Sequence, residues 1–116
     1  MVKSALMDDK RYVAVKLQGP AAQQTWDEGR LKAELARSLS VVLGVMGMAE
    51  VEPSLISYDA KGGEMVVRAK RGTERKLVAA FALITSFGGM PARLEVLRIS
   101  GTIKRLRMKR KADEEK

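Results

Sequence analysis

The chain has 116 residues, 46% of them hydrophobic, and a formal net charge of +8 from 22 Lys and Arg against 14 Asp and Glu. That length gives one domain with its own core, and the excess of positive charge favours a polyanionic partner such as nucleic acid or an anionic membrane surface. Cys, His and Asn are absent, which excludes disulfides, Cys/His zinc sites and any catalytic arrangement that needs a histidine base.

The first half of the chain predicts one strand and one long helix. Residues 1–11 are polar and are interpreted as a short leader, and residues 12–18 alternate and are rich in valine, which predicts a strand ended by Gly19-Pro20. Asp27 is the predicted N-cap of the helix, which Gly44 and Gly47 are expected to end. Its buried stripe is predicted to consist of Leu31, Leu35, Leu39, Val42 and Met46.

The second half predicts three more strands and a second helix. Strands are expected at residues 54–59 and 64–70, joined by a tight hairpin at Lys61-Gly62-Gly63. Thr73 is the predicted N-cap of the second helix, Gly88-Gly89 are expected to stop it, and residues 93–100 form the last strand. The buried face of this helix is predicted to consist of Leu77, Ala80, Phe81, Ile84 and Phe87.

The last predicted strand has apolar residues on both of its faces. Leu94 and Val96 share one face, whereas Leu97 and Ile99 lie on the other if the alternation is regular. Either the sheet is covered on both faces, by a partner protein or by the C-terminal segment, or a β-bulge resets the alternation.

The order strand, helix, strand, strand, helix, strand is the split βαβ, or ferredoxin-like, pattern. It predicts an α+β, RRM-like domain over residues 12–101, with a four-stranded antiparallel sheet and both helices on one face. Residues 102–116 form a short basic C-terminal extension, in which six of the eight residues from Lys104 to Lys111 are Lys or Arg.

Basic residues are predicted to converge at one edge of this sheet. The first and third strands form its central pair and run in opposite directions, so the start of the first lies near the end of the third. We therefore expect Lys10-Arg11 and Lys70-Arg71 to meet, with Arg98 on the last strand and the basic run after it. The candidate residues for binding a polyanion such as RNA are Lys10, Arg11, Arg68, Lys70, Arg71, Lys104, Arg105, Arg107, Lys109 and Arg110.

Other uses of this fold find little support in the residues. An acylphosphatase needs an Asn to orient the attacking water, and base stacking of the RNA-recognition type needs aromatic residues where the third strand has Glu64-Met65-Val66-Val67-Arg68. The run Gly44-Val45-Met46-Gly47 lacks the Gly-Lys-Ser/Thr of a phosphate loop. We therefore expect no protein-borne catalytic site and no metal site.

The sequence predicts neither a signal peptide nor a membrane-spanning segment. Residues 1–12 lack the apolar run of a signal peptide, and no apolar stretch approaches the roughly 18 to 20 residues that span a bilayer. With the absence of Cys, this predicts a cytoplasmic protein without membrane contact.

Over roughly residues 10 to 107 the chain resembles the Pop-five family of ribonuclease P protein subunits, in its short archaeal form. The resemblance rests on Arg11-Tyr12-Val13, the leucine helix to Leu43-Gly44, the hairpin at Tyr58-Asp59 and the segment Ile99-Ser100-Gly101-Thr102-Ile103-Lys104-Arg105. The Ser-Gly-Thr-Ile-Lys element of that segment is the most specific of these. Relatives often carry a basic, Leu-Pro-containing segment before Arg-Tyr, where this chain has Asp8-Asp9.

The resemblance implies a ribonucleoprotein that removes the 5′ leader of precursor tRNA. Its RNA subunit carries the active site and the Mg²⁺, and the protein binds no cofactor itself. A barrel-shaped subunit called Rpp-thirty is the implied protein partner, and two copies of each protein can assemble. We therefore predict a noncatalytic RNA-binding subunit that stabilises the catalytic RNA. The alternatives are a ferredoxin-like module that dimerises through its sheet and a ribosomal RNA-binding protein.

Overall fold

The structure, a computed structural model, describes residues 10–101. The predicted order of elements is confirmed, and the first strand begins at Lys10, two residues earlier than expected. The elements are β1 (Lys10–Gln18), a 3-10 helix (Pro20–Gln23), α1 (Glu28–Val51), β2 (Ser54–Asp59), β3 (Glu64–Lys70), α2 (Glu74–Leu83), β4 (Ser86–Phe87), β5 (Met90–Pro91) and β6 (Arg93–Ser100).

Four strands form one antiparallel sheet in the order β2-β3-β1-β6, as the split βαβ pattern predicts. The alternation along β1 turns Val13, Val15 and Leu17 towards the helices, and all three are buried. The core between the sheet and the two helices includes fully buried Phe81 and Phe87. Burial of each such side chain contributes about 1.5–3 kcal/mol, which makes this layer the main source of stability.

Helix α1 begins as predicted but ends later. The Asp27 side chain accepts a hydrogen bond from the backbone N–H of Arg30 at 2.7 Å, which confirms the N-cap. Gly44 has non-helical angles (φ 74°, ψ 178°) and kinks the helix, which continues to Val51. The regular helix is therefore interrupted at Gly44, as predicted for this glycine, but Gly47 does not end it. The kink also turns Met46 out of the buried stripe, so that it is 84% exposed.

Helix α2 is shorter than predicted. Its N-cap is Thr73, but the hydroxyl of Thr73 donates to the carbonyl of Lys70 at 2.7 Å instead of capping the helix. The helix stops at Leu83, so Ile84 and Phe87 are buried outside it. Gly88-Gly89, predicted as a helix stop, instead form the turn between β4 and β5, with φ values of 62° and 79°. Positive φ at both central positions is what the type I′ turn of a two-residue hairpin requires.

A β-bulge in β6 explains its irregular apolar pattern. Ala14 of β1 lies opposite Arg98 and Val15 lies opposite Val96, so Leu97 is the extra residue. The bulge returns Ile99 to the helix side, opposite Val13. Of the two explanations left open by the sequence, the bulge is confirmed.

The face of the sheet away from the helices carries a second, smaller apolar cluster. Ala14 and Val66 are buried there, and Tyr12 and Ile56 pack against them partly buried. The C-terminal segment, which the sequence offered as a cover for this face, lies outside the described residues.

Candidate nucleic-acid interface

Lys10, Arg11, Lys70 and Arg71 meet at one end of the sheet, as predicted, and Arg68 lies beside them. Lys10 lies opposite Lys70, and Tyr12 lies opposite Arg68, in the pairing of β1 with β3. Arg11 follows Lys10, and exposed Arg71 follows the last residue of β3. We call this set, Lys10, Arg11, Arg68, Lys70 and Arg71, the basic end. Its positive potential favours a polyanion such as RNA.

Strand β6 leaves the sheet at the basic end. Its last residue, Ser100, lies opposite Tyr12. The position that a Cβ would take at Gly101 is 3.1 Å from Nη1 of Arg11, so the chain passes directly over that guanidinium group. Covalent connectivity alone keeps Lys104 within about 11 Å of Gly101. The predicted RNA-binding residues of the extension, Lys104, Arg105, Lys109, Arg107 and Arg110, lie outside the described residues.

Two acidic residues, which the sequence interpretation missed, lie within the basic end. The Lys70 Nζ is 2.8 Å from Oε2 of Glu52, and both side chains are about half exposed. The Arg11 Nε is 3.7 Å from Oε2 of Glu74. The topology contains a signal for the first pair. Since Ser54 lies opposite Arg68, the residues just before β2 must lie beside the end of β3.

The basic end acts on the ionisation of Glu52. The hydrogen bond and the charge of Lys70 lower the pKa of this carboxyl group, and the charges of Lys10 and Arg68 lower it further. Glu52 is therefore ionised in the folded protein at neutral pH, and its negative charge offsets part of the local positive charge.

Arg98 does not belong to the basic end. It lies opposite Ala14, two residues further along β1 than Tyr12, and it forms an ion pair with Glu64 across the sheet. The two side chains are only 10% and 12% exposed. The structure thus separates this arginine, which lies in a shielded ion pair, from the cations predicted to bind RNA.

The aromatic residues offer no stacking platform on the described part of the sheet. Trp26, Phe81 and Phe87 are buried in the core, and Tyr12 is partly buried against Ala14 and Val66. Tyr58 packs against the main core, where burial and, to a smaller extent, the charge of Asp59 raise its pKa. Phosphate neutralisation by Lys and Arg is therefore the chemistry that this surface offers.

The described residues contain neither a cluster of metal-ligating side chains nor a helix able to cross a membrane. Within residues 10–101, no group of three or more acidic or other metal-ligating side chains is arranged to hold a metal ion. No helix in the same range has the length and apolar character needed to cross a membrane.

Comparisons with known proteins bear on the same part of the chain. Residues 11–111 match the family model of the Rpp14/Pop5 family. Ribonuclease P protein component 2 of Pyrococcus furiosus is 30% identical over 104 residues, which are 90% of this chain and 84% of that protein. The protein of the same name from Thermococcus gammatolerans is 33% identical with the same coverage.

A solved structure shares the fold. A chain in the cryo-electron microscopy structure of yeast ribonuclease MRP superimposes with a TM-score of 0.56 and 16% identity, over 93% of this chain and 92% of that chain. At this identity the likeness supports the fold alone. The family match and the two archaeal relatives extend through nearly all of the sequence, and the chain therefore belongs to the Rpp14/Pop5 family.

Proposed function

We propose that this chain is a noncatalytic protein subunit of ribonuclease P, which binds and stabilises the catalytic RNA for removal of the 5′ leader of precursor tRNA. The observation that carries the proposal is the convergence of the basic end with the point where the basic C-terminal extension begins. Family membership supports the class of RNA, and the geometry supports the basic end as the surface proposed to face it.

Charge neutralisation is the contribution expected of the protein. Packing RNA helices together brings phosphates close, and Lys and Arg side chains reduce the repulsion between them. The Mg²⁺ of the reaction is proposed to be held by the RNA, because the ammonium and guanidinium groups of the basic end repel a cation and supply no ligand oxygen. Lys10, Arg11, Arg68, Lys70 and Arg71 are the proposed phosphate contacts, joined by the cations of the extension.

A reconstituted processing assay tests this proposal. The RNA subunit and the barrel-shaped Rpp-thirty subunit are assembled with and without the chain, and cleavage of precursor tRNA is measured against Mg²⁺ concentration. We expect the chain to lower the Mg²⁺ concentration needed for half-maximal cleavage. An unchanged requirement contradicts the proposal, and so does a preparation from cells in which the chain co-purifies mainly with ribosomal RNA.

We also propose that the chain works beside the Rpp-thirty subunit and that two copies of this pair associate. Supporting this, α1 presents apolar side chains at its kink, where Val41 is 74%, Val45 87% and Met46 84% exposed. Leu83, at the end of α2, is 68% exposed and lines one groove with Val41. We assign this apolar patch to a second copy of the chain, because an uncharged patch meets itself across a two-fold axis without like-charge repulsion.

The mass of the assembly tests whether the apolar patch joins two copies of the chain. Val45→Glu puts a charge in the patch and is expected to reduce the mass in light scattering from two pairs to one. Ala33→Glu puts the same charge on an exposed part of the same helix and is the matched control. A wild-type assembly that contains one copy of each protein contradicts the assignment. Loss of the Rpp-thirty subunit from the Val45→Glu variant instead reassigns the patch to that subunit.

A further inference from the structure

One residue of the basic end has a backbone conformation that its residue type disfavours. Among residues 10–101, Glu52 is the one residue other than glycine with positive φ (φ 49°, ψ 56°). It ends α1, where its N–H donates to the carbonyl of Met48 at 2.9 Å, and Pro53 follows it. Glycine is the usual residue at such a helix end because a side chain there costs about 1–2 kcal/mol. The chain thus has a carboxylate at a position that glycine would fill with less strain.

That conformation directs the carboxylate into the basic end. Its Oε2 lies 2.8 Å from the Lys70 Nζ, and the charges of Lys10 and Arg68 also act on it. An RNA phosphate that reached Lys70 would need the same position beside the ammonium group. Exposed ion pairs contribute only about 0–1 kcal/mol, so an incoming phosphate can displace this carboxylate at small cost.

We propose that Glu52 is a built-in competitor of RNA phosphates at Lys70, an inference that rests on the proposed role of the basic end. In the free protein its carboxylate takes the phosphate position and lowers affinity for any polyanion. Any RNA that places a phosphate at Lys70 has to displace this carboxylate. Glu52 therefore lowers the affinity of the basic end for polyanions, and the other contacts of the basic end have to offset that loss.

Binding to a generic polyanion provides the test. The probe is a fluorescently labelled oligouridine, titrated by anisotropy at several salt concentrations. Because the ion pair to be displaced is exposed, Glu52→Gln is expected to bind about two- to fivefold more tightly than wild type. Its log–log dependence on salt is expected to be steeper by up to about 0.7, the value for one contact to a single strand.

The chain offers a matched control at the same end of α1. Glu50 forms an ion pair with Lys76 at 2.6 Å, outside the basic end, and its side chain is as exposed as that of Glu52. Glu50→Gln removes the same charge and is expected to leave the affinity close to that of wild type. If Glu50→Gln and Glu52→Gln gain the same affinity for oligouridine, the effect comes from net charge alone, and the proposal is overturned.

Two more variants separate competition from a structural role. Glu52→Gly removes the carboxylate together with the backbone strain, and it is expected to bind as tightly as Glu52→Gln with an unchanged or higher melting temperature. In a Lys70→Gln background, the gain from Glu52→Gln is expected to disappear. Unchanged or weaker binding of both Glu52 variants overturns the inference. This result leaves the proposed function intact, since that depends on the Mg²⁺ requirement of the reconstituted enzyme and not on oligouridine.

Discussion

The carboxylate of Glu34 on α1 accepts a hydrogen bond from the backbone N–H of Gly88, 54 residues further along the chain, at 2.9 Å. The same oxygen accepts from the hydroxyl of Ser38 at 3.2 Å and pairs with Arg37. The Glu34 side chain is 15% exposed. The interaction ties the β4–β5 hairpin to α1 and satisfies a backbone donor at the turn.

This contact predicts an acid-sensitive contribution to stability. The hydrogen bond from Arg37, opposed by burial and reinforced by Gly88 and Ser38, lowers the pKa of Glu34 to about 2 from 4.5. A carboxyl group whose pKa is lowered by folding contributes fully above its unfolded-state pKa and loses that contribution as the pH falls through its folded-state pKa. We expect about 1–2 kcal/mol of the free energy of unfolding to be lost through this group between pH 4.5 and pH 2.

Urea unfolding of wild type and Glu34→Gln across this pH range measures the effect. The variant keeps an acceptor for the Gly88 N–H but does not titrate, so the difference between the two proteins is expected to shrink as the pH falls. The other carboxyl groups cancel in this difference. Parallel pH profiles contradict the prediction.

The turn of the same hairpin offers a second, independent test. Gly88 and Gly89 both have positive φ, but a Cβ at Gly88 would lie 2.5 Å from the ring of Trp26, whereas a Cβ at Gly89 meets no atom within 4 Å. Gly89→Ala is therefore expected to cost about 1–2 kcal/mol of unfolding free energy from backbone strain alone. Gly88→Ala adds about 1–3 kcal/mol, because the ring has to move.

Trp26 reports this difference, since it is the only tryptophan in the chain. Its emission is expected to shift in Gly88→Ala and to stay unchanged in Gly89→Ala. Equal losses of stability in the two variants, with unchanged emission in both, show that the ring does not constrain the turn.

The hairpin also shows where sequence periodicity stops being informative. Ile84 and Phe87 continue the spacing of the α2 stripe and are buried, so their apolar character fits a longer helix equally well. The deciding contacts come from distant parts of the chain: Glu34 binds the N–H of Gly88, and Trp26 packs edge-on against Phe87 with ring centroids 5.1 Å apart. The local sequence pattern does not indicate such distant partners.

The candidate site shows the same difference between what local patterns predict and what distant contacts decide. The split βαβ order, which makes β1 and β3 the antiparallel central pair of the sheet, was sufficient to predict that Lys10 and Lys70 meet. The topology places the residues before β2 beside the end of β3, but it does not specify the left-handed backbone conformation through which Glu52 reaches Lys70, so this acidic partner was not foreseen. Charge counting alone therefore overstates the free positive charge of the surface.

The ion pair between Arg98 and Glu64 predicts a loss of stability without a loss of RNA affinity. Removing one partner of a well-shielded pair leaves the other charge less well compensated, which costs about 3 kcal/mol. Arg98→Gln is therefore expected to lower the free energy of unfolding by about that amount. Arg93→Gln, at an exposed position on the same strand, removes the same charge and is expected to change it by less than about 0.5 kcal/mol.

RNA affinity distinguishes this arginine from those of the basic end. Below the unfolding transition, Arg98→Gln and Arg93→Gln are expected to bind ribonuclease P RNA alike, with the same salt dependence. A selectively shallower salt dependence in Arg98→Gln assigns a phosphate contact to Arg98 and contradicts the structural role.

The basic end predicts a change in the salt dependence of RNA binding. The double variant Lys10→Ala and Arg71→Ala removes two of its cations and leaves the pairs of Lys70 with Glu52 and of Arg11 with Glu74 in place. If each residue contacts one phosphate, the slope of log affinity against log salt becomes shallower by about 1.4–1.8, which is 0.7–0.9 for each lost contact. Filter binding to ribonuclease P RNA over a salt series measures that slope.

The matched control removes the same charge elsewhere. Lys32 on α1 and Lys61 in the β2–β3 hairpin are exposed and lie outside the basic end. The variant with Lys32→Ala and Lys61→Ala is expected to keep the wild-type slope, because counterions are released from RNA only where cations contact phosphates. If the slope becomes shallower by the same amount in both double variants, net charge alone drives binding, and the basic end contributes no more than other cations. A loss confined to Lys10→Ala and Arg71→Ala locates the RNA at the sheet end from which the basic extension begins.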